Sequence, residues 1–194
     1  MKIAIVYHSG SGHTEAIARS VAIGAGSVSG VEVGVYDVDG LGDPQSTSPA
    51  GWSVFESVDA IVFGSPTYMG TVSASFKSFM DRSGAVWFTR GWMDKLAAGF
   101  TVGGGLSGDK QGTLQAMCTF ACQHGMIWVS MGVGVGEADV DRLGSSLGMM
   151  AQADNAPADQ TPPPEDHATA EAFGHRVATA ARRWVRGRAA DLEQ

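Results

Sequence analysis

Long apolar runs along this chain predict the buried strands of a parallel sheet. Continuous apolar stretches are typical of strands that are covered on both faces. Four such runs lie at residues 3–7, 59–64, 95–102 and 126–131. An alternating segment over residues 31–37 predicts one more strand, the second in chain order.

Between the strands, apolar side chains recur at helical spacing. That spacing predicts helices over residues 15–25, 73–83, 111–124 and 164–186, with a short helical turn near residues 53–57. Strands that alternate with helices pair in parallel, and the helices cover both faces of the sheet. The pattern therefore predicts a doubly wound α/β fold with a five-stranded parallel sheet in three α/β/α layers.

The chain is interpreted as one domain. Its 194 residues suffice for a single hydrophobic core, and neither an internal repeat nor a second core is evident. Residues 39–52, rich in Gly, Pro and Ser, are predicted to be irregular, and residues 152–164, rich in proline, to form a linker. We assign residues 1–194 to this domain and expect the tail after about residue 187 to be disordered.

Charge and cysteine content narrow the functional classes. The chain has 13 Lys and Arg against 20 Asp and Glu, a net charge of −7. This balance argues against a nucleic-acid partner, because phosphate neutralisation needs clustered basic residues. The two cysteines imply no disulfide framework, and the sequence shows no signal peptide and no apolar run long enough to span a membrane. We therefore expect a cytoplasmic protein.

The loop after the first predicted strand has the chemistry of an anion site. Residues 9–14 read Ser-Gly-Ser-Gly-His-Thr and lead directly into a helix. The glycines allow several backbone amides to turn inward, and the helix N-terminus favours a negative group. Because the loop has no Lys or Arg and matches neither the Walker nor the G-x-G-x-x-G motif, it suits a phosphomonoester held by neutral donors. A serine-rich helix cap is the alternative interpretation.

Two further loops are expected at the same edge of the sheet. Residues 65–71 read Ser-Pro-Thr-Tyr-Met-Gly-Thr and offer an apolar shelf, and residues 101–108 contain three successive glycines that let the backbone approach a flat ring. Open α/β sheets bind ligands at the carboxyl ends of their strands, where the strand order reverses. The three loops together predict a site for flavin mononucleotide (FMN). Taken alone, the second loop is more often an ordinary turn, and the third is equally consistent with a mobile loop.

At these loops the sequence resembles a known family. Residues 9–14 resemble the flavodoxin phosphate loop, T/S-x-T/S-G-x-T. Residues 64–70, together with Trp87, resemble the WrbA-type NAD(P)H:quinone oxidoreductases and related FMN reductases, and residues 123–126 are similar to the same family. The likeness covers about residues 1–186. It implies a flavodoxin-like fold, tight FMN binding, NADH or NADPH as reductant, a quinone-like acceptor and a homodimer or homotetramer.

The resemblance also assigns roles by position. It places the FMN phosphate at Ser9, Ser11, Gly12, His13 and Thr14. It places the flavin ring at Pro66, Thr67, Tyr68, Met69, Gly70, Thr101, Val102, Gly103, Gly104, Gly105 and Ser107. As catalytic candidates it implies His124, near the flavin of a neighbouring subunit, and Trp87, as a wall on the substrate side. No metal is implied.

The chain departs from the family pattern at three places. Tyr68 and Met69 stand where the family usually has a basic residue and a phenylalanine. Residues 108–111 read Gly-Asp-Lys-Gln where Gly-Gly-Gln-Glu is usual, and residues 132–136 read Gly-Val-Gly-Val-Gly in place of a Pro-Tyr-Gly segment.

Two functional classes remain open. One is an FMN-dependent NAD(P)H oxidoreductase, and the other is a flavodoxin-type one-electron carrier that docks on redox partner proteins. Carriers tend to be strongly acidic around the flavin, whereas the charged residues near these loops are Glu15, Asp109 and Lys110. We therefore favour the enzyme. Cys118 and Cys122 are interpreted as core residues of a helix rather than as metal ligands, because no fourth ligand accompanies them and His124.

Overall fold

The apolar runs form a parallel sheet in the computed structural model, which describes residues 1–42, 51–132 and 140–191. The strands are β1 (Lys2–Tyr7), β2 (Glu32–Asp37), β3 (Ala60–Tyr68), β4 (Thr71–Val72), β5 (Leu96–Gly103), β6 (Ile127–Trp128) and β7 (Met149–Gln152). They lie in the order β2-β1-β3-β5, and both β6 and β7 pair with β5. The short β4 is antiparallel to the end of β3.

Helices cover both faces of this sheet. They are α1 (His13–Gly26), α2 (Val54–Ser57), α3 (Ala74–Arg82), α4 (Gly84–Phe88), α5 (Lys110–Gln123) and α6 (Pro164–Asp191). On one face α1 and α6 pack around Ile5 and Phe173, and on the other α2, α3 and α5 pack around Phe63 and Phe79. The predicted doubly wound fold in three α/β/α layers is confirmed.

The outer strand of the sheet differs from its prediction. The apolar run at residues 126–131 pairs with β5 as a strand only through Ile127 and Trp128. The remaining length of β5 pairs with β7, which follows about twenty residues later in the chain. Val129 and Met131 are buried without belonging to a strand. The apolar run therefore indicated burial correctly, but it did not indicate a continuous strand.

The C-terminal helix is longer than predicted. It extends to Asp191 rather than ending at Arg186, so residues 188–191 are helical where disorder was expected. Alanine and arginine are strong helix formers, and Arg188, Ala189 and Ala190 continue the helix for that reason. The parts of the predictions that fall on residues 43–50, 133–139 and 192–194 lie outside the described residues.

The strand order brings the three predicted loops to one edge. Val6 of β1 pairs with Tyr36 of β2 on one side and with Phe63 of β3 on the other, so the order of the strands reverses beside β1. The carboxyl ends of β1, β3 and β5 point to the same edge, because all three strands are parallel. Within the described ranges, no helix is long and apolar enough to cross a membrane.

Candidate functional site

The three loops enclose a cavity of about 290 Å³ at the carboxyl edge of the sheet. A fourth segment, residues 153–155 after β7, closes one side. The lining residues are Gly10, Ser11, His13, Thr14, Pro66, Thr67, Tyr68, Val102, Gly103, Gly104, Ala153, Asp154 and Asn155. No lysine or arginine is among them, so a phosphate here would be held by neutral donors.

The N-terminus of α1 opens toward this cavity with unpaired donors. Gly12, at the position before the helix, has a left-handed φ of 89° and provides no side-chain cap. The amides of residues 10–14 donate to no acceptor within the described parts of the chain. Backbone donors of this kind, aligned with the helix dipole, form an anion site.

Hydroxyl groups add to this cradle. Thr14 is buried, with 2% of its surface exposed, and it lines the cavity. The Oγ of Ser9 accepts a hydrogen bond from the amide of Glu15 at 3.2 Å, which leaves its own proton free to be donated. Ser11 lies at the exposed rim of the cavity.

His13 connects the phosphate loop to the fourth segment. Its Nε2 lies 2.9 Å from the carbonyl oxygen of Ala156, and its Nδ1 lies 3.1 Å from the Oγ of Ser11. Because a carbonyl oxygen only accepts, Nε2 carries the proton that it donates to Ala156. His13 therefore orders the loop rather than acting as a free base.

A chain of threonine hydroxyls lies beneath the cavity. Thr101 Oγ1 donates to the carbonyl oxygen of Ser65 at 2.7 Å, so it accepts from Thr67 Oγ1 at 2.8 Å. Thr67 in turn accepts from Thr113 Oγ1 at 2.7 Å. All three hydroxyl protons are thus committed to neighbours within the protein. The chain ties β3, β5 and α5 together directly below the site.

The turn between β3 and β4 forms an apolar rim. Met69 and Gly70 have positive φ values of 49° and 82°, as a two-residue hairpin turn requires. Met69 is fully exposed and Tyr68 is half-exposed. The Tyr68 hydroxyl lies so close to Gly10 that a Cβ there would be 2.5 Å from it.

Several residues predicted for the site lie elsewhere. Thr101, predicted to face the ring, is completely buried in the threonine chain and does not line the cavity. Ser107 lines a separate cleft of about 980 Å³ between residues 106–111 and 142–147. The other predicted residues that do not line the cavity are Ser9, Gly12, Met69, Gly70 and Gly105.

The two catalytic candidates lie together, but at the opposite edge of the sheet. His124 follows α5, and Ile127 three residues later pairs with Leu96, the first residue of β5. His124 and Trp87 line one surface cavity of about 620 Å³ with the exposed Phe88. Within one chain, neither residue lies at the cavity between the three loops.

The His124 ring is held in an apolar environment. Its centroid lies 4.4 Å from that of Trp92, and its Nε2 lies 2.9 Å from the Oγ of Ser83. Its Nδ1 is buried and has no partner within the described residues. Desolvation by burial lowers the pKa of His124 to about 4, so the ring is neutral at pH 7.

The cysteine interpretation is only partly correct. Cys118 is half-buried, and burial raises the pKa of its thiol, whereas Cys122 is exposed beside His124 and is not a core residue. A helix face that is apolar in sequence can extend past the core when, as in α5, the helix end reaches the surface.

Sequence patterns did not indicate the fourth segment of the site. The prolines of residues 152–164 predict a linker, whereas residues 153–155 line the cavity. Their position depends on β7, which pairs with β5 and brings the chain back to the carboxyl edge. Lys110 was also not assigned to the site, although it is buried against the loop that follows β5.

Comparisons with known proteins agree with this geometry. The chain is 38% identical over 183 residues to flavodoxin FldP from Pseudomonas aeruginosa (strain UCBPP-PA14), covering 91% of this chain and 95% of that protein. It is 37% identical to a crystal structure of a WrbA-like flavodoxin from Agrobacterium tumefaciens, with a TM-score of 0.73 over 94% of this chain and 98% of that one. A flavodoxin from the domain Archaea, at 20% identity and a TM-score of 0.65, covers 94% of this chain and 99% of its own.

The last of these similarities supports the flavodoxin-like fold alone, whereas the first two extend to sequence. Residues 1–139 match the family model described as NADPH-dependent FMN reductase, a span that contains all three predicted loops. On that match, the chain belongs to the NADPH-dependent FMN reductase family.

Proposed function

We propose that this protein is an FMN-dependent oxidoreductase that passes electrons from NADH or NADPH through bound FMN to a quinone or a similar small acceptor. Family membership identifies FMN as the cofactor and NAD(P)H as the reductant. The observation that carries the proposal is a single cavity with an uncharged anion cradle at one end and apolar or glycine walls at the other.

The residues at the cradle fit the phosphate of FMN. Unpaired amides at the start of α1 and the hydroxyls of Ser9, Ser11 and Thr14 form a donor set without a formal positive charge. A Cβ at Gly12 would lie 3.0 Å from the Cβ of Ala158, so the cradle is closed on that side. This closure supports a terminal phosphate rather than the longer diphosphate of FAD.

The opposite end of the cavity fits a flat ring. Pro66, Thr67 and Tyr68 would face one part of the ring, and Val102, Gly103 and Gly104 another. Because the hydroxyl of Thr67 is committed to Thr101, its contribution to the ring would be backbone and methyl contacts. Met69, Gly70 and Gly105 would lie at the rim, where an acceptor enters, whereas Ser107 faces the separate cleft.

FMN supplies the redox chemistry when it is bound, because its ring accepts a hydride and later returns the electrons. The protein orients the ring and leaves one side accessible. Met69 is an exposed apolar side chain at the rim, which favours a flat apolar acceptor over a charged protein surface. His13 is committed to Ala156 and Ser11, so no side-chain base is assigned to the hydride transfer.

A partner subunit would complete the substrate side. Trp87, Phe88 and Met93 form an exposed apolar patch beside His124, far from the cavity of the same chain. We propose that a homodimer or homotetramer places Trp87 and His124 of one subunit near the flavin of another. As a neutral ring whose Nε2 proton is donated to Ser83, His124 would accept a hydrogen bond at Nδ1 there, and it would not act as a cationic acid.

A flavodoxin-type electron carrier is the second candidate. It is favoured by the 38% identity to a protein named as a flavodoxin, over nearly the full length of both chains. Both candidates use the same FMN site, and both are consistent with the proposed cytoplasmic location. They differ in whether a nicotinamide nucleotide reduces the flavin directly.

Anaerobic titration separates the two candidates. We expect NADH or NADPH to bleach the flavin absorbance of the purified protein completely, and benzoquinone to restore it with ping-pong kinetics. Light scattering should show an oligomer, and replacement of the exposed Trp87 by alanine should weaken it. Met93→Ala, in the same patch, removes a smaller apolar side chain and should therefore weaken the oligomer less.

The carrier candidate predicts a different outcome. Neither nucleotide would bleach the flavin, dithionite would do so, and the protein would be monomeric. That combination would refute the proposed enzyme while leaving the FMN site intact.

A further inference from the structure

Lys110 is a buried lysine at the loop that follows β5. We call residues 103–109 the glycine loop. Lys110 is the first residue of α5, directly after this loop, and its side chain is 0% exposed. A lysine is rarely buried completely unless a partner or a function keeps it there.

The ammonium group of Lys110 holds the glycine loop in shape. Its Nζ donates to the carbonyl oxygens of Gly105 at 2.5 Å and Leu106 at 3.0 Å. Gly108 and Asp109, with φ values of 55° and 54°, turn the chain back into the helix. The loop is therefore folded around one cation.

The side chain passes directly behind the wall of the cavity. Gly103 lines that cavity, and a Cβ at this glycine would lie 3.3 Å from Cε of Lys110. The same Cβ would lie 3.6 Å from Cβ of Thr67, another lining residue. Lys110 is thus separated from the cavity by a single glycine.

No carboxylate pairs with Lys110 in the described parts of the chain. Asp166 is the acidic group that acts on it most, but Asp166 is itself paired with Arg142 at 2.6 Å. Desolvation by burial lowers the pKa of Lys110. Burying a cation against carbonyls alone costs free energy, which suggests a functional reason for it.

We propose that Lys110 is a positioning residue for FMN, which holds the glycine loop against the flavin ring and places a positive charge behind that ring. The charge favours the reduced form. Hydride transfer from NAD(P)H moves two electrons and one proton to the ring and releases NAD(P)⁺, so the ring gains one negative charge until solvent supplies a second proton. The proposal rests on the FMN site described above, but it does not depend on the acceptor.

The test compares Lys110→Met and Lys110→Gln in the full-length protein. Binding of oxidised FMN is followed by quenching of its fluorescence, and the midpoint potential is measured with dithionite and a reference dye. For Lys110→Met we expect the affinity for oxidised FMN to fall about tenfold. The affinity for reduced FMN should fall about a hundredfold, which is tenfold more than for the oxidised form. A tenfold difference between the two forms lowers the midpoint potential by about 30 mV for a two-electron couple.

Lys110→Gln separates the two roles, because glutamine donates hydrogen bonds without a charge. The midpoint potential should fall as far as in Lys110→Met, while the affinity for oxidised FMN should fall less. If Lys110→Met does not fold, the potential of Lys110→Gln alone decides: a potential equal to that of the wild type overturns the proposal.

Lys95 provides a matched control. Its Nζ also donates to two carbonyl oxygens, of Glu56 at 2.8 Å and Val58 at 2.6 Å, and burial also lowers its pKa, but it lies at the amino edge of the sheet. Lys95→Met should reduce stability and leave both FMN affinity and potential unchanged. A Lys110→Met protein that folds with the affinity and potential of the wild type refutes the role of Lys110. Failure of NAD(P)H to reduce the flavin refutes only the proposed enzyme, since dithionite is the reductant here.

Discussion

Thr14 has a backbone amide and a hydroxyl at the first turn of α1, and the residue lines the cavity. We predict that Thr14→Val weakens FMN binding by about 1–3 kcal/mol, because one phosphate acceptor loses its donor. Calorimetric titration with FMN and with riboflavin checks this. Riboflavin has no phosphate, so its affinity should not change.

Thr89→Val is the control for this substitution. Thr89 is exposed, and its hydroxyl donates only to carbonyls of its own helix. It should leave the binding of both flavins unchanged. An unaltered FMN affinity in Thr14→Val would show that the phosphate lies elsewhere.

His124 should make stability depend on pH. Its pKa is lowered by burial to about 4 in the folded protein, against about 6.5 in the unfolded chain. Between these two pKa values the unfolded state binds more protons than the folded state does. The contribution of His124 to the free energy of unfolding is therefore complete above about pH 6.5 and is lost as the pH falls through 4. We predict a loss of about 3 kcal/mol between pH 7 and pH 4 from this residue.

His124→Gln measures that contribution, because glutamine can keep the hydrogen bond to Ser83 but does not titrate. The free energy of unfolding of the wild type minus that of the variant should be constant above pH 6.5 and fall below it. A difference that is independent of pH from 7 to 4 would contradict the neutral, buried ring.

Helices α1 and α6 approach each other closely through two glycines. A Cβ at Gly174 would overlap the carbonyl oxygen of Val21, and one at Gly24 would overlap that of Glu171. Gly174→Ala should therefore lower the free energy of unfolding by about 1–3 kcal/mol, since the helices must move apart.

Gly187 lies in the same helix and has nothing within 4 Å of its Cβ position. Gly187→Ala should raise stability by about 0.5–1 kcal/mol, because alanine has the higher helix propensity. Urea unfolding of both variants measures these changes. Equal changes in the free energy of unfolding at the two positions would contradict the close contact between the helices.

The central strands were predictable because burial on both faces leaves an unbroken apolar run, as in residues 3–7. The outer strand was not, since Met149, Met150 and Ala151 follow a segment of small residues and pair with β5 only through tertiary contact. The same dependence on tertiary contacts explains which parts of the site could be predicted from the sequence. Loops that follow a predicted strand could be placed by topology, whereas residues 153–155 depend on the pairing of β7.

Lys110 was missed for a different reason. A lysine beside a glycine-rich loop is usually solvated, and its burial depends on the left-handed residues Gly108 and Asp109, which sequence patterns do not specify.

Cofactor binding and folding should be coupled across the protein. At the proposed site FMN would contact loops from four parts of the chain, so its binding would require their folded arrangement. At a free FMN concentration of 100 times the dissociation constant, the folded state should gain about 2.7 kcal/mol. Thermal unfolding with increasing FMN checks this, and a midpoint independent of FMN would contradict it.

The close contact of α1 with α6 has a consequence for biosynthesis. The first 103 residues contain strands β1, β2, β3 and β5 and the first two loops of the cavity. The apolar side of α1, however, is covered by Phe173 and Val177 of α6. A ribosome must add about seventy more residues, and then release them from its exit tunnel, before that surface is shielded. Until then the apolar side of α1 is exposed to solvent on the nascent chain, and a chaperone would recognise exposed apolar surface of this kind.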